Sequence, residues 1–147
     1  MQNTEIIIDC DAPVFVSDGW SVAPDSEQLP NRVRGQFKWD PSKINLYLSD
    51  KQKEGKWIEG NKLREELKKE KVLPAQILDY LLKPENKHLI PEEWKNKSVF
   101  FWGTIYRDSG GGFCVRCLWW DGVGWGWGCR WRGSVWRGRN SSACSQV

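Results

Sequence analysis

Apolar positions along this chain follow two different rhythms, and the change falls near Ser98. From Ser98 onward they recur at every second residue. Ser98 to Arg107 and Phe113 to Trp120, separated by Asp108-Ser-Gly-Gly-Gly112, read as two strands. Asp121-Gly122 leads to a third, in which Trp125, Trp127, Cys129 and Trp131 alternate with glycine and arginine. Successive side chains of a strand point to opposite faces, so the pattern predicts a three-stranded antiparallel meander. A two-residue Asp-Gly turn sets Trp120 opposite Val123 and Cys114 opposite Cys129, whereas a four-residue turn sets Trp120 opposite Trp125. Either register keeps each residue on its face. With a five-residue first loop, one face carries Phe100, Trp102, Tyr106, Cys114, Arg116, Leu118, Trp120, Trp125, Trp127, Cys129 and Trp131. The other carries Val99, Phe101, Ile105, Phe113, Val115, Cys117, Trp119 and the glycines 124, 126 and 128.

Before Ser98 the pattern is mostly helical. Glu5 to Asp9 reads as a short strand, and Asp11 to Gln36, with Pro13, Pro24, Pro30 and Gly19, as loop. Phe37 to Trp39 is a brief extended piece. Asp40-Pro41 then joins an acceptor side chain at the N-cap to proline at the first helical position. This announces a helix striped by Ile44, Tyr47 and Leu48. A second helix starts near Asn61 with Leu63 and Leu67, and a third near Pro74 with Ile77, Leu78, Leu81 and Leu82 until Pro84. Pro91-Glu-Glu-Trp94 makes one further helical turn, acidic where the helix dipole favours it.

The expected fold class is α+β: the meander, which the N-terminal strand can extend, packed against three or four short helices. The helices are assigned to the flat glycine face, where Trp119 lies across Gly124. One domain spans residues 1–132, divided into strand and loop (1–40), helices (41–97) and meander (98–132). Residues 133–147, rich in Gly, Ser and Arg with Trp136 alone among them, read as a flexible basic tail.

Three runs, Ile58-Glu-Gly-Asn-Lys-Leu-Arg-Glu-Glu-Leu67, Leu89-Ile-Pro-Glu-Glu-Trp94 and Val99-Phe-Phe-Trp-Gly-Thr-Ile-Tyr-Arg-Asp-Ser109, together with Ile8-Asp-Cys-Asp-Ala-Pro13, carry a resemblance. The chain from Ser42 to Trp120 resembles a group of short uncharacterised bacterial proteins frequent in candidate-phylum genomes. The resemblance implies a small, single-domain bacterial protein and carries over no catalytic residue. After Asp121 the chain departs from that group, with glycine and cysteine where more aromatics are expected.

Composition sharpens the question posed by the rings. Eleven Trp and five Phe stand against one Met, so the core is built largely of stiff aromatic side chains. The net charge of +3 is unevenly spread: residues 1–40 hold seven acids and three bases, residues 107–147 two acids and six arginines. No apolar run reaches the length of a membrane span, and the N-terminus lacks a signal-peptide pattern. The expectation is a cytoplasmic protein with no membrane partner and five reduced thiols.

Candidate chemistry is sparse. Cys114 and Cys117, followed by Cys129 and Cys144, have the residue types of a zinc site, but positions i and i+3 of a strand face opposite ways. Small buried thiols are preferred to a metal, and no cofactor is expected. His88 is the only histidine and has no sequence partner for nucleophilic chemistry. Asp9 and Asp11, flanking Cys10, suit loop capping better than acid/base work. Asp108-Ser-Gly-Gly-Gly112 lacks the lysine and following helix of a phosphate loop.

The constellation left is the ring-rich face: Phe100, Trp102, Tyr106, Arg116, Trp120, Trp125, Trp127 and Trp131. Burying the three Trp of the last strand removes on the order of 500 Å² from water, worth roughly 12 kcal/mol gross. That face therefore belongs to the core, to a partner or to a ligand. The favoured expectation is a non-enzymatic protein that meets a protein partner or a copy of itself through these rings, with arginines as the rim. The alternative is a single-stranded nucleic-acid binder using the same face with Arg130, Arg132, Arg137 and Arg139 on phosphates. An enzyme of unknown class has only Asp9, Cys10, Asp11 and His88 to offer.

Overall fold

The alternation in Phe113–Trp120 yields the longest strand of the protein, and a mixed sheet assembles on both of its edges. The computed structural model describes residues 5–147, so the first four residues of the expected 1–132 domain lie outside the described ones. In chain order the elements are β1 (Ile7–Asp9), β2 (Ser21–Val22), β3 (Gln36–Lys38), β4 (Ile44–Tyr47), β5 (Ile58–Glu59), α1 (Gly60–Leu67) and β6 (Lys71–Val72). There follow α2 (Ala75–Leu81), β7 (Ser98–Phe100), β8 (Tyr106–Arg107), β9 (Phe113–Trp120), β10 (Trp125–Trp131), β11 (Val135–Trp136) and β12 (Asn140–Ser145). The fold is α+β.

The expected three-stranded meander does not stand as a unit: its segments belong to an eight-stranded sheet ordered β2-β8-β9-β7-β12-β4, with β10 added to β9 at an edge and β6 to β12. Its last turn takes the four-residue register, Trp125 opposite Trp120 and Trp131 opposite Cys114. Its first strand is broken. Tyr106 pairs with Cys114, as a five-residue loop requires, yet Val99 pairs with Leu118 and Phe100 with Cys117. Between them the chain leaves the ladder: Gly103 N–H donates to Leu73 O, and Thr104 Oγ1 accepts from Ala75 N–H at the start of α2. A Cβ on Gly103 would stand 2.6 Å from the Leu73–Pro74 backbone, so only glycine admits this approach. The slip moves Phe100 and Trp102 to the face opposite the one expected, because the side-chain period is two.

Among the described residues two large cores form, one on each side of β9, beside a small cluster of Ala75, Tyr106 and Cys114. Leu118, Val99 and Ala143 join Ile77, Leu78 and Leu81 of α2, with Trp125 and Trp127 packed against them. Val115, Cys117, Phe100 and Cys144 join Leu63 and Leu67 of α1 with Trp102 and Trp136. Both apolar stripes are the ones the sequence shows, but the helices cover both faces of the sheet, not the glycine face alone. The glycines 124 and 126 meet nothing, and Trp119 lies against Gly128 instead of Gly124.

Three further expectations are corrected. The cap at Asp40, accepting from Ser42 N–H, starts only a single 3-10 turn at Pro41–Lys43, after which Ile44–Tyr47 becomes a strand paired with β12. There the gain from pairing with β12, with Ile44, Leu46 and Tyr47 partly buried, exceeds the weak local helical preference. β1 pairs with β3 in a separate small sheet and does not extend the meander. Residues 133–147 are not a tail: Trp136 is fully buried, β11 pairs with β5, and β12 runs parallel to β7 and antiparallel to β4 and β6.

Candidate interaction surface

β10 pairs with β9 and with no other strand among the described residues. The bonds at its two ends, Asp121 N–H to Gly124 O and Arg132 N–H to Phe113 O, set the alternation of the ladder. Gly126, Gly128 and Arg130 therefore exchange bonds with β9, and the backbone N–H and C=O groups of Trp125, Trp127 and Cys129 point away from it. Among the described residues none of these groups has a backbone or side-chain partner. An unpaired strand edge of this kind is a template for another extended chain.

The rings beside that edge are not equivalent. Trp127 is half-buried beneath Phe15 and Trp20, whose ring centroids lie 5.7 and 5.8 Å away at steep angles. Trp125 packs edge-on against Trp120 at 5.3 Å, and Lys95 Nζ sits 4.1 Å over the Trp120 ring. Of the three indoles on β10 Trp131 is the exposed one, at 65%, and its Nε1–H donates to Asp108 Oδ2 over 2.7 Å. That bond, with the amides of Gly112 and Gly110, holds the Asp108 carboxyl below the usual carboxylate range. The glycine loop thus spends its amides on its own aspartate and presents Trp131 at a fixed angle. Trp131, Trp20, Phe113, Cys129, Arg130 and Arg132 line an open groove of about 1060 Å³.

Other members of the expected face lie inside the protein. Phe100 and Trp102 are buried against Trp136, at 4.5 and 4.9 Å. Tyr106 is buried, its hydroxyl donating to Phe15 O, and burial pushes its phenol up to about 12. Arg116 is 2% exposed, held by Asp79 Oδ1 at 2.8 Å and the Tyr106 hydroxyl at 3.2 Å, with Trp127 at 4.5 Å on its guanidinium. Asp79 also accepts from Phe15 N–H, so one ion pair fastens the N-terminal loop over Trp127. None of these four residues is available to a partner: Tyr106 and Arg116 brace the face of Trp127 from within, and Phe100 and Trp102 belong to the opposite core.

The four arginines separate as well. Arg132 is committed to Glu27 at 3.0 Å and Asn61 at 2.9 Å while stacking on Phe113 at 4.3 Å. Arg130 Nε donates to Val135 O, and Arg137 and Arg139 are exposed on the far side of that turn. Phe15 and Trp20 were not legible as part of the surface, since they come from an irregular segment without period.

The cysteines are all free. Cys114 faces the rings, Cys117 lies on the opposite face beside Gly128, and Cys144 is inside β12; among the described residues no group of three or more His, Cys, Asp or Glu is placed to hold a metal. Burial pushes Cys10, Cys114, Cys117 and Cys144 up to about 12, and burial with Asp108 raises the exposed Cys129. They are thiols at neutral pH and poor nucleophiles. Asp9 accepts from Asp11 N–H and Asp11 from Gly35 N–H, which is the capping role, and His88 is exposed in a 3-10 turn. Among the described residues no helix is long and apolar enough to cross a membrane. No family model, curated protein or solved structure matches the chain.

Proposed function

We propose that the protein is a non-enzymatic interaction module that takes an extended protein segment onto the free edge of β10. The observation that carries this is the row of unpartnered backbone groups at Trp125, Trp127 and Cys129. A segment added there gains main-chain hydrogen bonds for affinity and side-chain contacts on two unlike faces for specificity. On one face its alternate side chains meet Trp120, Trp125 and Trp127. On the other they meet the glycines 124 and 126, where no atom obstructs a bulky group. The β10 of a second copy fits the same edge: centred on Gly128, an antiparallel pair sets Arg130 against Gly126 and places no like charges opposite each other.

The test uses one substitution. Cys129→Pro removes an outward N–H that the fold does not use, a place where an edge strand tolerates proline. Linear peptides selected on the native protein are expected to lose binding to Cys129→Pro, and to slow hydrogen exchange at the amides of Trp125, Trp127 and Cys129. If a second copy is the occupant, light scattering gives a dimer for the native chain and a monomer for the variant. Peptides that bind both proteins equally and leave those amides unprotected, with both proteins monomeric, would remove the basis of the reading.

A further inference from the structure

The segment Asp50-Lys-Gln-Lys-Glu-Gly-Lys56 and the turn Arg137-Gly-Arg139 lie far apart in sequence, yet the fold fastens them together. Ser49 and Gln52 form a capping box at a 3-10 turn. The Gln52 side chain, fully buried, then donates to both Arg137 O and Asn140 O over 2.9 Å. Asn140 closes the turn from its own side by accepting from Arg137 N–H. Glu54 and Gly55 carry the chain round in left-handed conformations, with φ of 56° and 78°. The two segments become the walls of a cleft of about 650 Å³, lined by Lys53, Lys56, Arg130, Arg137 and Arg139 against a single acid, Glu54.

Charge in this cleft is unbalanced. Lys53 pairs with Asp50 at 3.0 Å, whereas Lys56, Arg130, Arg137 and Arg139 have no carboxylate within ion-pairing distance among the described residues. Four unpaired cations around one concavity repel one another, a cost that an anionic ligand removes. Arg130 also lines the groove that holds Trp131, Trp20 and Phe113, so a basic cleft and a ring-lined groove meet at one residue.

We propose that this cleft binds the phosphate backbone of a single-stranded nucleic acid, with a base reaching the exposed Trp131 in the adjoining groove. Cations that track a backbone beside rings that stack bases are the two parts of a single-strand site. A duplex keeps its base faces covered and gains nothing from Trp131. The site shares Arg130 and Trp131 with β10, but its other cations come from the 53–56 loop and the 137–139 turn, and it uses none of the outward backbone groups of Trp125, Trp127 and Cys129.

Fluorescence anisotropy with a labelled oligothymidylate tests it on the full chain. Four phosphate contacts predict that log K falls with log salt with a slope of about −3. The double variant Arg137→Ala/Arg139→Ala is expected to halve that slope and weaken binding at low salt at least about tenfold. Lys53→Ala/Lys56→Ala, on the other wall and outside β12, should weaken binding in the same direction, which keeps the test valid if the first variant misfolds. Trp131→Ala is expected to lower affinity about five- to hundredfold while leaving the slope unchanged. The proposal is overturned by no binding at low salt, by binding indifferent to both double variants, by a matched duplex binding as tightly, or by tripolyphosphate competing equally at the same phosphate concentration. The last result would mark a site for small anions.

Discussion

β10 and β12 belong to one sheet, and their positions in it are the reverse of what their side chains suggest. β10 holds three tryptophans in seven residues and stands at an edge; β12 reads Asn-Ser-Ser-Ala-Cys-Ser and runs through the middle, with Ser141 to Cys144 buried. The difference lies in what covers each strand. β12 sits where both cores close over the sheet, and large neighbours such as Phe101, Trp102 and Trp136 already fill the space, so only small residues fit between them. β10 has α2 and the N-terminal loop beneath one face and nothing above glycines 124 and 126. Apolar content therefore does not rank strands by burial. The room left by neighbours does.

The comparison is broken most severely by removing the inconspicuous strand. A chain ending at Gly138 loses β12, and with it the pairing partner of β4, β6 and part of β7. It is expected to lose cooperative unfolding and near-ultraviolet circular dichroism. Retention of a sharp urea transition would mean that these residues are the peripheral tail their composition suggests.

A smaller effect is expected where β10 depends on a charge. Asp79→Ala leaves Arg116 buried without its carboxylate and frees the Phe15 amide, at a cost of about 3–5 kcal/mol. Tryptophan fluorescence should shift to the red as Phe15 and Trp20 move away from Trp127. A loss below about 1 kcal/mol in urea unfolding would show that aromatic packing alone holds the loop.

The smallest effect has the opposite sign. At Gly126 the backbone is not left-handed and an added Cβ meets no atom, so Gly126→Thr is expected to stabilise the protein by about 0.5–1 kcal/mol through lower chain entropy and a cross-strand contact with Trp119. Destabilisation on thermal unfolding would mean that this face is covered in solution, and would itself point to an occupant.

Much of the local order was legible in the chain. The two-residue period placed Trp125, Trp127, Cys129 and Trp131 on the face of Arg116 and Leu118 in either register, and that is where they lie. Leu63 with Leu67, and Ile77 with Leu78 and Leu81, marked α1 and α2 by their spacing. The Asp40-Pro41 cap was also real, although the turn it starts is immediately drawn into a strand. The candidate surface was legible only in part. Trp131 is exposed beside the loop as a ligand platform needs, whereas Phe100 and Trp102 went to the opposite core when the first strand broke at Gly103, and Tyr106 and Arg116 kept their face but are buried by Asp79 and the N-terminal loop.

What the sequence determined by itself was each residue's side within its own element, because period and capping are set by neighbours a few positions away. Tertiary structure decided which elements meet. The carbonyl of Leu73 receives Gly103, Gln52 grips the Arg137–Asn140 turn, and Ser142 finds Tyr47 across the sheet. Contacts at such separations leave no periodic trace. They exist because closing two cores at once, and satisfying the backbone between them, outweighs every local preference along the way.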